Sequence, residues 1–176
     1  DNYTPLNESE IIFDPKGNSV TYYSHYGFSV NSDDMSDIFS QDNLTGLTLY
    51  QKTFENSFIR EKNLSGSLFQ NILFENMTIK NTQFIGVLFQ NVTFKNSDLT
   101  NVDFSGSTME KINFIHTTLN NSSLNHIGGA LVFKNSDLTN VDLSYSAIDG
   151  SIFDSTDLTT SNFVNTNLND SKYINS

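Results

Sequence analysis

The sequence predicts an all-β solenoid over residues 42–176, wound from five-residue repeats with four repeats to a coil. Three observations carry that expectation. A large apolar residue recurs every five positions from Leu44 to Leu124 and again from Phe133 to Tyr173, at 26 positions. The segment Gly66-Ser67-Leu68-Phe69-Gln70-Asn71 returns as Gly86-Val87-Leu88-Phe89-Gln90-Asn91, a shift of 20. Asn or Gly stands two positions after the apolar residue in 17 of the 26 repeats. A period of five matches neither the helix period of 3.6 nor the strand period of 2. Self-similarity at a fixed spacing of this kind marks a stack of repeating units.

Each slot of the repeat has a physical job. The central apolar residues fill the core. Two positions earlier the residue is usually small or β-branched, as at Ser67, Thr82, Val87, Val92, Ser97 and Val102, and fits an inward slot between large neighbours. Two positions later, Asn and Gly tolerate the positive φ that a tight turn needs at its third residue. A turn every five residues makes a square coil, and the length supplies about 6–7 of them.

One irregularity is readable. Residues 94–103, FKNSDLTNVD, return at 133–142, a shift of 39 where two coils would give 40. One residue is therefore missing near 125–131, and Gly128-Gly129 is expected at the irregular corner. With that correction Phe54, Phe74, Phe94, Phe114, Phe133, Phe153 and Tyr173 form a single aromatic column, whose stacking holds adjacent coils in register.

Ser97-Asp98-Leu99-Thr100-Asn101, Ser136-Asp137-Leu138-Thr139-Asn140 and Thr156-Asp157-Leu158-Thr159-Thr160 carry a motif that resembles that of the pentapeptide-repeat family, roughly A(D/N)LXX around a central Leu or Phe. The resemblance implies a right-handed quadrilateral β-helix and covers about 135 of the 176 residues. One departure is that Ser, Thr and Val stand where the family commonly has Ala.

Residues 1–41 lie outside the repeat and read as an N-terminal extension and cap. A strand over 10–14, a turn over 15–18 and a second extended segment over 19–30 suggest a hairpin. Ser32-Asp33-Asp34-Met35 opens a short helix, with Met35, Ile38 and Phe39 at helical spacing, able to cover the first coil as solenoids require. The last coil has no such cover in sequence, which makes Phe163, Leu168 and Tyr173 candidates for C-terminal self-association as a homodimer. End-to-end dimers are what the resemblance implies for this end. The chain starts at Asp1 without Met, and is read as a trimmed piece of a longer protein.

Composition narrows the function. A net charge of −11 argues against direct nucleic-acid binding. There are no cysteines, hence no disulfides or thiolate metal sites. No run of 18 apolar residues exists to span a membrane. His116 and His126 are half a coil apart, at opposite corners, and cannot share a metal. No Ser–His–Asp set converges on one face. The expectation is a chain that is not an enzyme, with no catalytic residues and no cofactor or metal.

Two surface features remain. Asp98, Asp137 and Asp157 fall on one face as an acidic stripe. Asp137 and Asp157 lie one coil apart there; adjacent carboxylates can raise a pKa, but an open flat face without a pocket reads as a surface stripe and not as a catalytic pair. The slot just before each centre should face solvent, yet it holds Phe58, Leu68, Leu73, Leu88, Val132 and Ile152. Leu68 falls over Leu88, while Leu73, Val132 and Ile152 share the next face. A contiguous exposed apolar patch marks a contact surface, unless the aromatic N-terminal segment folds over it. Nine Asn-x-Ser/Thr sequons occur, which the repeat generates by itself.

The leading expectation is a non-catalytic protein–protein interaction or scaffold module, bacterial, acting in the cytoplasm or inside a larger secreted effector. The resemblance implies an alternative, an acidic DNA mimic that binds DNA gyrase and confers quinolone protection. Charge weakens it: from Asp42 onward 13 acids face 8 bases. A rod of nearly seven coils is roughly 32 Å long, and duplex DNA of that length carries about 19 negative charges. A glycosylated extracellular or luminal receptor module is the third reading.

Overall fold

A computed structural model describes residues 44–176 and, ahead of them, four two-residue strands: β1 (Ile12–Phe13), β2 (Ser19–Val20), β3 (Ser24–His25) and β4 (Phe28–Ser29). β1 pairs antiparallel with β2, and β3 with β4. The hairpin-like segment therefore contains two short pairs, and β3 approaches the first wall strand of the solenoid. The helix expected over 32–39 lies outside the described residues, which hold strands as their only regular elements.

From residue 44 the chain is a parallel β-solenoid of about six turns. A seven-stranded parallel sheet, whose first four strands bend round a corner to cover two adjacent sides, runs in the order β5 (Thr48–Glu55), β7 (Leu68–Glu75), β9 (Leu88–Lys95), β10 (Thr108–Ile115), β11 (Leu131–Lys134), β12 (Ile152–Asp154) and β13 (Lys172–Ile174). The next side begins with β6 (Phe58–Arg60) beside β8 (Thr78–Lys80) and continues as single parallel bridges. The corners explain the winding. Among the described residues, those two after each centre sit at φ of about +50 to +70°, including Lys111, His116, His126 and Tyr145. Bulky side chains accept the left-handed backbone here because every coil must turn at this slot. Neighbouring corner asparagines add a ladder, such as Asn101 Nδ2 donating to Asn81 Oδ1 at 2.6 Å and Asn91 Nδ2 to Asn71 Oδ1 at 2.8 Å.

The central residues from Leu44 to Phe153 are buried. The aromatic column is continuous: Phe54, Phe74, Phe94, Phe114, Phe133, Phe153 and Tyr173 stack with centroids 4.9–5.3 Å apart. Serine in the inward slot does what alanine cannot. Ser107 Oγ accepts the Val87 N–H at 3.0 Å and donates to the Phe84 carbonyl at 2.7 Å. Ser122 repeats the pattern on Val102 and Leu99, and Ser146 on Ile127 and Leu124. Each such bond between coils contributes about 0.5–1.5 kcal/mol net.

The missing residue is located by the register. Thr108 pairs with Gly128 at a spacing of 20, but Ile112 pairs with Leu131 and Phe114 with Phe133 at a spacing of 19. The shortened repeat is the one centred on Gly129, which lacks its corner residue and passes through Ala130 straight to the inward Leu131. Gly129 has a φ of +122°, and a Cβ there would lie 1.9 Å from the Met109 carbonyl oxygen. Below the slip the spacing of 20 resumes, with Phe133 over Phe153 and Phe153 over Tyr173.

Candidate interaction surfaces

A strand alternates its side chains in and out, so both flanks of each buried centre face outward. The register then fixes which outward residues are neighbours. Leu68 pairs with Leu88, with Thr48 above and Thr108 below. Val132 pairs with Ile152. All four are half-buried. Leu73 lies round the Asn71 corner from Leu68, on the side that carries Val132, but is separated from Val132 by Thr93 and Asn113. The expected contiguous patch is thus broken up, because Leu68 and Leu88 lie on the adjacent side and polar residues occupy the two coils between Leu73 and Val132. Phe58 belongs to neither. It heads the column of the acidic stripe, 59% exposed, with the Arg60 guanidinium 4.9 Å above its ring.

The stripe runs Phe58, Thr78, Asp98, Thr118, Asp137, Asp157 down one side. Each aspartate is already engaged. The Oδ1 of Asp98, Asp137 and Asp157 accepts the backbone N–H of the threonine two residues on at 2.9–3.0 Å and its hydroxyl at 2.6 Å. On the next side Asp103 and Asp142 accept in the same way from Ser105 and Ser144. The carboxylates therefore fix the turns of the coil. Asp98 also pairs with Lys80 at 2.7 Å.

These bonds set the ionisation. At Asp98 burial opposes the charge, but the Lys80 ammonium and the Thr100 hydroxyl and amide outweigh it and hold the carboxyl below its ordinary 3.8. At Asp142 burial is likewise outweighed, by Ser144 and by the side-chain amides of Asn125 and Asn162 at 3.2 and 3.0 Å. Asp157 is also lowered, by Thr159. Donors face the Asp157 carboxylate directly. A folded-state pKa below the unfolded value means stability that is complete above about pH 4 and lost as pH falls through the folded values. The melting temperature is expected to hold steady from pH 7 to 5 and drop below pH 4. In D142N, where the amide oxygen still accepts from Ser144, that acid limb should be shallower in thermal melts followed by circular dichroism.

At the last coil Leu158, Phe163 and Leu168 are only half-buried and Tyr173 is 50% exposed. Tyr173 stacks on Phe153 at 5.1 Å, and burial of its phenol pushes its pKa up. Other outward apolar residues lie in the slot after the centre, at Ile85, Ile115, Val164 and Ile174. The five-residue period marks that slot as clearly as the one before the centre. Tyr145, at a corner, is exposed and stacks on His126 at 5.2 Å. The two histidines occupy different corners, and no group of metal-ligating side chains converges among the described residues. The depression lined by His116, Asn135, Asp137, Ser155 and Asp157 is shallow and open. No helix among the described residues is long and apolar enough to cross a membrane.

Comparison with known proteins follows the same geometry. The family model for pentapeptide repeats matches residues 97–127 and 132–172, in 8 copies, leaving out the shortened corner between them. No curated protein sequence matches the chain. Among solved structures, the chain is similar to full-length QnrB1, a plasmid-mediated fluoroquinolone resistance protein, at 15% identity and a TM-score of 0.39, over 73% of this chain and 85% of that one. A pentapeptide repeat protein from the cyanobacterium Cyanothece 51142 matches at 10% identity and a TM-score of 0.30, over 75% and 91% of the two chains. HetL, from the cyanobacterium Nostoc sp. strain PCC 7120 and involved in heterocyst differentiation regulation, matches at 12% identity and a TM-score of 0.23, over 81% and 94%. Eight matched copies of the repeat, on coils that the strand register locks together, make residues 97–127 and 132–172 a run of pentapeptide repeats.

Proposed function

We propose that the solenoid is a non-catalytic protein-interaction module, used as a rigid rod whose outward apolar slots form the contact surface. The observation that carries this reading is the pair of apolar columns, Leu68 over Leu88 and Val132 over Ile152, held outward on two adjacent sides of a coil whose interior is filled. Isolated surface apolar residues are ordinary, but stacked ones repeated on a flat wall favour a partner. The core leaves its space to Phe and Leu, and the depressions on the outside are shallow, which suits recognition of a protein face over enclosure of a small substrate. The partly exposed last coil, with Phe163, Leu168 and Tyr173, is a second surface open to self-association.

The test is affinity capture with the full chain, comparing wild type with the double variant L68D/L88D and the single variant I152D. These side chains point outward and are half-buried, so the melting temperature of each variant is measured beside capture to separate a lost contact from a lost fold. Capture of the partner should fall at least about tenfold, the loss of one central apolar contact being worth 1.4 kcal/mol or more. Undiminished capture by both variants would remove these columns from the contact surface.

A further inference from the structure

The geometry points to a second copy of this chain as the occupant of the Val132–Ile152 patch, docked face to face with the two rods antiparallel. This assignment rests on the interaction-module reading and names the partner for one of its two columns. Four successive strands of the wall, β10 to β13, present two outward columns. One reads Ile115, Lys134, Asp154, Ile174, and the other Asn113, Val132, Ile152, Lys172. The first column is therefore apolar, positive, negative, apolar, and the second is polar, apolar, apolar, polar. Both are symmetric in kind about the midpoint between β11 and β12, with the charges of opposite sign.

A twofold axis along the strand direction at that midpoint keeps each column facing itself and reverses the coil order. Lys134 then faces Asp154 of the other copy, Val132 faces Ile152, and Ile115 faces Ile174. Each contact occurs twice, as an isologous interface requires. The charges complement across the interface, and like charges meet nowhere within it.

Three further observations favour this occupant. Lys134 and Lys172 make no ion pair among the described residues, whereas Lys80 and Lys95 on the same solenoid are paired with Asp98 and Glu75. The patch lies directly over the stacked Phe114, Phe133, Phe153 and Tyr173, at 4.9–5.2 Å, so the wall behind it is rigid and needs no ordering on binding. Residues 135–176 carry six acids and one base, Lys172, which sits in this patch. The other sides of these coils are thus acidic and repel a copy, and this wall is where one can approach.

The patch spans about 14 Å from β10 to β13 and about 10 Å along the strands, an area on the order of 150 Å² against the roughly 800 Å² per partner of a standard interface. Association is therefore weak, appearing at about 0.1 mM and above. The experiment is sedimentation equilibrium of the full chain from 10 μM to 1 mM. Wild type is expected to dimerise. K134D and D154K are each expected to stay monomeric, because each places like charges across the axis twice. An equimolar mixture of the two should dimerise again, since the carboxylate introduced at position 134 of one then meets the ammonium introduced at position 154 of the other. Circular dichroism of each variant checks that the coil is intact.

A wild type that stays monomeric at 1 mM, or a mixture that does not reassociate, would overturn the assignment. So would a dimer abolished by Y173D but untouched by both charge reversals, which would move the contact to the last coil. Heterologous capture through Leu68 and Leu88 is read separately. Its persistence alongside either negative result would leave the interaction-module reading in place while removing this one.

Discussion

Replacing Gly129 with alanine is expected to destabilise the solenoid by roughly 3 kcal/mol or more. The alanine Cβ would sit 1.9 Å from the Met109 carbonyl oxygen, well inside contact, at a φ of +122° that L residues avoid. Neither party can yield cheaply. The clashing atom is backbone, and it belongs to β10, which is paired on both sides. The natural comparison is G106A. Gly106 also has positive φ, at +67°, but a Cβ there meets nothing within 4 Å. Its cost is the ordinary left-handed penalty of about 1–2 kcal/mol. Urea unfolding of the two variants should separate them by at least about 1 kcal/mol. Equal midpoints would show that the shortened corner adapts, and that its packing against Met109 is not what holds the slip in place.

The second large effect is expected in the aromatic column. Phe114 is fully buried and stacks on Phe94 at 5.2 Å and on Phe133 at 4.9 Å, across the very coils where the register changes from 20 to 19. Phe114→Ala should cost about 3–5 kcal/mol, the range for truncating a buried aromatic. Tyr173→Ala removes a ring that is half-exposed and stacks on one side only, so its cost should be less than half as large. In a linear array each coil is stabilised by its neighbours. Loss of Phe114 should therefore uncouple the halves, giving a broader unfolding transition with a lower m-value. Loss of Tyr173 should fray one end and leave the main transition sharp. A Phe114→Ala midpoint matching that of Tyr173→Ala would contradict the column as a source of coupling.

The aspartates show where reading residues one at a time stops. Their alignment on one side follows from adding 20, or 19 across the slip, and was legible. That each carboxylate is spent on the threonine two positions later was also written in the Asp-Leu-Thr triplets. It acquires meaning only with a turn that brings those three groups within 3 Å. The apolar slots show the opposite case. Leu73 and Val132 share a column by arithmetic, yet Thr93 and Asn113 stand between them. A patch is a property of neighbours in space, and a column is only a list until its members are placed.

The sequence by itself determined the coil. In a solenoid with a five-residue unit, burial, turn and register all follow from position modulo five, so local chemistry and global fold carry the same information. It determined even the shortened repeat, because a missing residue displaces every later centre. The tertiary structure decided what faces what across coils. It stacked the Tyr145 ring on that of His126, closed the Lys95–Glu75 ion pair, and left Leu158, Phe163 and Leu168 only half-covered. Those relations depend on distances between side chains that lie 19 or 20 residues apart, and on which sides of the rod remain open. No period encodes those distances.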